Sequence, residues 1–172
     1  MKLKLPLEII KRLKRELRGR RREIGGVLVG EHLGAETFRL IDYSVQVRGG
    51  TVAHFERDPE HHKHFLADFF ARTGNDYQRF NYIGEWHSHP AFQPLPSGSD
   101  LHTMYEIVED LNVGVNFAVL IIARLRSWAK LEISATLFRP GILPQPIEVE
   151  VEEGEAKAKE SMLRRFIDFI RR

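Results

Sequence analysis

The sequence predicts an α/β protein in which a mixed β-sheet is sandwiched by helices. Three observations support this fold class. Helical and strand patterns follow each other in the order helix, two strands, helix, strand, helix, two strands. The most apolar stretch, residues 117–125, is typical of a central strand buried on both faces. The chain has 172 residues, 42% of them hydrophobic and 29% charged, as expected for one globular domain.

Composition excludes several kinds of chemistry. The chain has no cysteine, so disulfides, thiolate nucleophiles and cysteine-liganded zinc are excluded. No run of apolar residues is long enough for a membrane span. The sequence begins Met-Lys-Leu-Lys-Leu-Pro without a secretory pattern, and we expect a cytoplasmic protein with no membrane partner.

The first three elements follow from apolar spacing and glycine. Residues 6–18 carry apolar side chains at helical spacing and predict an amphipathic helix. Residues 24–30 predict a strand, although Gly25 and Gly26 would weaken it unless another group approaches the backbone closely. Residues 36–47 alternate between polar and apolar and predict the second strand.

A second helix begins at Asp58, which is a suitable N-cap before Pro59 at the first helical position. It continues to about residue 73, and we expect its three histidines to lie at the surface: His61, His62 and His64. The remaining elements are a strand over 80–89, a helix over 99–111, and strands over 117–125 and 128–139.

The predicted organisation is a domain over residues 1–141, an acidic linker over 142–154 and a C-terminal amphipathic helix over 155–172. That helix either packs on the domain or offers its apolar face to a partner or a second copy, which would give a homodimer.

Charge is unevenly distributed along the chain. Residues 11–22 are strongly basic and residues 148–155 are acidic, although the net charge is only +2. Both runs are typical of solvated surfaces. The alternative is that the basic run meets an acidic partner or nucleic acid; because it lacks interleaved aromatic residues, we do not expect nucleic acid.

The candidate functional site begins at the end of the strand over 80–89. His87 and His89 are two residues apart, so both imidazoles can point to the same face of a strand. The following loop is stiffened by three prolines: Pro90, Pro94 and Pro96. Asp100 lies at the start of the next helix and can return a carboxylate to the same point. Two imidazoles and one carboxylate with a free fourth position are typical of catalytic zinc. The alternative is a polar strand end followed by a helix cap.

The spacing His87-Ser-His89, seven residues, Ser97, two residues, Asp100 resembles the signature of the JAMM (JAB/MPN-type) zinc metalloproteases. That family also has an essential glutamate on a strand of the form Glu-x-Gly-Gly-x-x-x-Gly, and residues 23–30 are similar to it, with Glu23 in that position. The resemblance covers roughly residues 5–140 and is greatest to the standalone bacterial and archaeal members.

The resemblance implies the cytidine-deaminase-like JAB/MPN fold and a role for each matching residue. His87, His89 and Asp100 would hold Zn²⁺, and Glu23 would act as general base and then general acid. Ser97 would donate its hydroxyl to the tetrahedral oxyanion, cap the following helix, or do both. Glu85 shares the histidines' face of the strand and is a rival to Glu23.

The resemblance also implies a substrate class. Family members with this signature mostly hydrolyse the isopeptide or peptide bond after the Gly-Gly terminus of ubiquitin or a ubiquitin-like modifier. We therefore expect such a modifier or its conjugate as substrate, with activating- and conjugating-type enzymes as further partners. Residues 49–58 are a candidate docking strand, too short to support a linkage preference. The alternatives are a catalytically silent scaffold, or an enzyme that trims a sulfur-carrier protein or another small peptide-like amide.

Overall fold

The computed structural model describes residues 1–127 and 130–152, which form eight strands and three helices. Within these residues, no helix has both the length and the apolar character needed to cross a membrane. The elements in chain order are β1 (Lys2–Pro6), α1 (Leu7–Leu17), β2 (Gly25–Gly34), β3 (Thr37–Tyr43), α2 (Pro59–Arg72), β4 (Phe80–Ser88), α3 (Gly98–Glu109), β5 (Ala118–Leu125), β6 (Leu131–Arg139), β7 (Ile142–Pro146) and β8 (Glu148–Glu152).

The eight strands form one mixed sheet in the order β7-β6-β5-β4-β2-β3-β1-β8. The pairs β4–β5, β1–β3 and β1–β8 are parallel, and the other pairs are antiparallel. Strands β7 and β8 lie at opposite ends of this order, yet only Ile147 separates them in the chain. Its N–H donates to the carbonyl oxygen of Ala135 in β6. The sheet therefore curls until its two ends lie next to each other.

Strand β5 is buried on both faces, as predicted. Alternate residues face the main core, which also contains the apolar face of α1: Val119, Ile121 and Ala123. The residues between them face a second core with Met104 and Val108 of α3: Ala118, Leu120 and Ile122. Helices therefore cover both faces of the sheet, which confirms the predicted fold class.

Three of the predicted helices, those over 6–18, 58–73 and 99–111, are confirmed to within a few residues. Helix α1 buries Ile9, Leu13 and Leu17, which recur at helical spacing. Helix α2 begins after Asp58, whose side chain accepts a hydrogen bond from the N–H of Glu60.

The prediction of an acidic linker over 142–154 is wrong for residues 142–152, which form β7 and β8. Strand β1 was also not predicted. In β8 the valines alternate with glutamates, and the glutamates pair with basic side chains of the neighbouring strands: Lys2, Lys4 and Arg39. The acidic residues are therefore one face of a paired strand. The predicted helix over 155–172 lies outside the described residues, and the division into domains stays a prediction.

Candidate metal centre

The end of β4 places two imidazoles side by side. The Nε2 atoms of His87 and His89 are 3.1 Å apart, and both residues are buried. The Nδ1 atom of His89 lies 2.8 Å from the carbonyl oxygen of Gln93. A carbonyl can only accept, so Nδ1 of His89 carries the proton and Nε2 presents its lone pair. The loop after β4 thus orients this ring.

Asp100 lies in the first turn of α3 and reaches both imidazoles. Its Oδ1 is 3.5 Å from Nε2 of His87, and its Oδ2 is 3.9 Å from Nε2 of His89. Burial alone would raise the pKa of this carboxyl, but the hydrogen bond and charge of His87 and hydrogen bonds from Ser97 hold the pKa well below its usual range. Asp100 is therefore ionised at neutral pH.

Glu23 precedes β2 and is almost completely buried. Its backbone N–H donates to the carbonyl oxygen of Thr51 at 2.7 Å, which fixes the residue beside the cluster. Its Oε1 lies 3.9 Å from Nε2 of His89. Burial raises the pKa of the Glu23 carboxyl to about 7, against a lowering effect of His87. This carboxyl can therefore both bind and release a proton near neutral pH.

These side chains can hold a metal ion. Ligand atoms of Glu23, His87 and His89 all lie within 4.8 Å of one another, and the three residues are buried. Ligand atoms around a tetrahedral zinc ion lie roughly 3.3 Å apart, given bonds of about 2.0–2.1 Å. The distances of 3.1 Å between the imidazoles and 3.5 Å from His87 to Asp100 fit that spacing.

Either carboxylate could complete the ligand set by distance alone. A metal ligand must be deprotonated, and Asp100 has the lowered pKa whereas Glu23 has the raised one. Asp100 also contacts both imidazoles. The geometry thus brings together all the residues predicted for the site and fits Asp100 as ligand and Glu23 as proton carrier. The roles themselves stay predictions.

Ser97 caps α3 and binds Asp100. Its hydroxyl lies 2.7 Å from Oδ2 of Asp100, and its oxygen accepts from the backbone N–H of Asp100 at 3.2 Å. Its own N–H donates to the same carboxylate, which completes a capping box. The capping role is present in the structure, and Ser97 also holds Asp100 toward the imidazoles.

The rival carboxylate, Glu85, forms an ion pair with Arg57. It is buried, and burial raises the pKa of its carboxyl despite the charge of Arg57. Glu85 lies in the same cleft but outside the group of Glu23, His87 and His89 that can hold a metal.

Gly25 and Gly26 are needed because side chains and backbone approach β2 closely, as predicted. A Cβ on Gly25 would lie 2.4 Å from the carbonyl oxygen of Trp86 and 2.7 Å from the ring of Phe55. A Cβ on Gly26 would lie 2.4 Å from the carbonyl oxygen of Ser44. All three contacts are closer than real Cβ atoms allow.

The cluster formed by Glu23, His87, His89 and Asp100 opens into two depressions at the surface. A groove of about 550 Å³ runs between residues 54–57 and α3, and reaches His87 and Asp100. A hollow of about 460 Å³ reaches Glu23, His89, Ser97 and Asp100 from another side. Two exposed apolar side chains, Phe92 and Leu95, line the hollow. The cluster is therefore open to the surface on two sides.

Sequence reasoning missed several residues of the groove. Phe55 stacks near His87, with ring centroids 6.4 Å apart, and Arg57 binds Glu85. These residues lie in an irregular loop, so no periodicity marked them. The prediction of a docking strand over residues 49–58 is wrong as to conformation, because the segment forms no strand, although residues 54–57 line the groove. The prediction that His62 lies at the surface is wrong, because only 1% of this residue is exposed to solvent.

Comparisons with known proteins agree with this geometry. Residues 4–135 match the family described as prokaryotic homologs of the JAB domain. The CD-NTase/cGAS isopeptidase of Vibrio cholerae is 31% identical over 109 residues, which are 62% of this chain and 65% of that protein. The match thus spans a little under two thirds of that relative. The solution structure of a protein from Desulfitobacterium hafniense, 18% identical, superposes with a TM-score of 0.64 over 88% of this chain and 94% of that one, and it shares the fold.

Proposed function

Because this chain belongs to the family of prokaryotic homologs of the JAB domain, we propose that it is a zinc metallopeptidase. The bond it hydrolyses is the isopeptide or peptide bond after the Gly-Gly terminus of ubiquitin or a ubiquitin-like modifier. One observation carries this proposal: Glu23, His87 and His89 form a buried group that can hold a metal ion, and Asp100 lies beside it. This group lies between two open depressions.

His87, His89 and Asp100 would hold the zinc ion. When bound, zinc supplies Lewis acidity that polarises a carbonyl group and makes hydroxide available near neutral pH. Gln93 keeps the ring of His89 in the tautomer that a ligand needs. Ser97 keeps Asp100 oriented and ionised. These contacts prepare the site before a substrate binds.

Glu23 carries the proton during hydrolysis. A carboxyl with a pKa of about 7 can take a proton from the attacking water and then deliver it to the leaving amine. Glu23 lines the hollow, whereas His87 lines the groove. The amine of the target would therefore leave through the hollow, and the modifier's tail would lie in the groove, where two glycines pass the crowded cluster without a side-chain clash.

The V. cholerae relative supports a protein conjugate as substrate. Its name, CD-NTase/cGAS isopeptidase, describes an enzyme that cleaves an isopeptide bond. We extend this to the present chain: a ubiquitin-like conjugate or precursor is the substrate, and activating- and conjugating-type enzymes of the same system supply it.

The test compares the zinc-loaded protein with its Glu23→Gln variant on a panel of ubiquitin-like fusions. We expect the wild type to release at least one modifier and Glu23→Gln to lose this activity while keeping one equivalent of zinc. Glu85→Gln is the matched control, since it makes the same change in the groove. Full activity in Glu23→Gln with loss in Glu85→Gln would reassign the proton carrier.

The same experiment separates the alternatives. A native protein that holds no zinc and cleaves nothing would be a scaffold. Cleavage of short peptides in preference to Gly-Gly fusions would indicate a small-substrate enzyme.

Ser97 is tested by Ser97→Ala. Loss of an N-cap typically costs about 1 kcal/mol of stability. Loss of an oxyanion donor typically lowers turnover by about 10²–10³-fold. A stability loss with unchanged turnover would leave Ser97 with the capping role alone.

A further inference from the structure

Gln46 lies just after β3 and is buried, so its amide must find its hydrogen-bond partners within the protein. Its Nε2 donates to the carbonyl oxygens of Arg48 and Glu56, at 2.8 and 2.9 Å. Its Oε1 accepts from the backbone N–H of Asp58 at 2.8 Å and lies 3.1 Å from Nε2 of His62. All four hydrogen-bonding positions of one amide are thus used.

Three of these four bonds go to the backbone of one loop, residues 48–58. They bind it at its beginning, through Arg48, and at its end, through Glu56 and Asp58. The backbone of Gln46 is itself fixed, because it exchanges two hydrogen bonds with Gly25 of β2. One side chain therefore ties both ends of the loop to the sheet.

The fourth bond ties the amide to α2. Nδ1 of His62 lies 2.7 Å from the hydroxyl of Ser44, and that hydroxyl accepts from the N–H of Val27 at 2.9 Å. Oε1 of Gln46 can only accept, so Nε2 of His62 carries the proton that Oε1 accepts, and Nδ1 of His62 in turn accepts from the hydroxyl of Ser44. This chain of bonds has one consistent arrangement of donors and acceptors, so the orientation of the amide is defined.

The loop that Gln46 holds contacts the candidate metal centre at two points and the neighbouring groove at a third. The carbonyl oxygen of Thr51 accepts from the N–H of Glu23. The ring of Phe55 lies over His87, and Arg57 pairs with Glu85 in the groove. The loop thus forms one wall of the groove, opposite α3.

We infer that Gln46 is a positioning residue for substrate binding: it holds loop 48–58 as a preformed wall of the groove that receives the acyl side of the substrate. This inference rests on the proposed function for the identity of the substrate. Without the amide, the carbonyl oxygens of Arg48 and Glu56 lose their donor, and the substrate must order these parts of the loop when it binds. Ordering a loop on binding weakens affinity and leaves the chemistry of the bound complex unchanged.

The experiment uses the full chain loaded with zinc and compares Gln46→Met with wild type. Methionine keeps the length of the side chain and removes both donors. The matched control is Gln145→Met, at an exposed position of β7 away from the site. Hydrogen exchange of the amides in residues 48–58, zinc content, and kcat and KM on the cleaved fusion are measured.

We expect faster exchange confined to loop 48–58, unchanged zinc content, a KM about 10-fold higher and a kcat within about 2-fold of wild type. Gln145→Met should match wild type in all four quantities. Unchanged exchange in the loop, or faster exchange with an unchanged KM, overturns the inference. If Gln46→Met fails to fold, Gln46→Asn, which keeps the donors on a shorter side chain, takes its place with the same criteria.

Failure of the two proposals can be told apart. A wild-type protein that cleaves no fusion contradicts the proposed function. The exchange comparison between Gln46→Met and wild type does not depend on activity, and it decides separately whether the amide holds the loop.

Discussion

Two loops flank the candidate metal centre, and they are held in different ways. Loop 48–58 makes three hydrogen bonds with one buried side chain, Gln46, in addition to the contacts of Thr51 with Glu23 and of Arg57 with Glu85. The loop over 90–97 is stiffened by three prolines and ends in the capping box of Ser97. A single change at Gln46 therefore removes three restraints of the first loop at once, whereas the second loop distributes its stability over several independent restraints.

The largest effect is expected from Gly50→Ala in loop 48–58. A Cβ at this position would lie 1.9 Å from the carbonyl oxygen of Glu23, so the loop or Glu23 must move. Overpacking of this kind costs about 1–3 kcal/mol, and a displacement of about 1 Å at a catalytic group can cost about 10²-fold in rate.

The control for this variant is Gly98→Ala, next to the second loop. A Cβ on Gly98 would meet no atom within 4 Å, and the residue begins α3. Urea unfolding and turnover are measured for both variants. Equal losses of stability and turnover in the two variants would show that an added methyl group disturbs both loops equally, which contradicts the comparison.

The next largest effect is a loss of stability at low pH, caused by protonation of His62, whose ring bonds to the amide of Gln46. Burial, together with the charges of His61 and Arg57, lowers the pKa of His62 to about 4, while Asp58 opposes this. The folded protein therefore binds this proton less tightly than the unfolded chain, whose histidine has a pKa of about 6.5. The free energy of unfolding should fall as pH drops below about 6.5 and should level off near pH 4.

This pH effect should reach at most roughly 2.5 kcal/mol between pH 7.5 and 4.5. Chemical unfolding at several pH values measures it, and His62→Gln, which cannot titrate, is the comparison. The variant should show a shallower loss of stability on acidification. Parallel curves for wild type and variant would show that His62 does not contribute.

A smaller effect is expected from the proline loop. Pro94→Ala frees one φ angle in the unfolded chain and should lower the free energy of unfolding by about 0.4–1 kcal/mol. Thermal unfolding measures the change. A loss as large as that of Gly50→Ala would mean that the proline loop also depends on one residue.

The smallest effect on stability is expected from Phe92→Ser, since this side chain is 51% exposed. The free energy of unfolding should change by less than about 0.5 kcal/mol. Because Phe92 lines the hollow, we expect a lower kcat/KM on a protein fusion all the same. An unchanged kcat/KM would show that the target does not contact the hollow through this ring.

Local spacing in the sequence predicted one part of the geometry of the candidate site, the approach of two imidazoles and one carboxylate. His87 and His89 share a face because a strand repeats every two residues, and Asp100 returns because a helix begins beside it. Spacing along the chain determines both facts. The pairing of distant segments is different: the contact of Phe55 with His87, and the bonds from Gln46 to its loop, depend on tertiary packing that no local pattern records.

The linker prediction was wrong because charge was given more weight than alternation. Residues 148–152 read Glu-Val-Glu-Val-Glu, a two-residue period that predicts a strand. Residues 2–5 have the same period with lysines in place of glutamates. The complementary charges of the two segments, read together, would have predicted the pair β1–β8.

That pair has a consequence for biosynthesis. Strand β1 is synthesised more than 140 residues before its neighbour β8. Until then one edge of β1 has no strand to bond with, and its lysines lack the glutamates of β8. Closure of the curled sheet is therefore a late event in folding, of the slow, long-range kind.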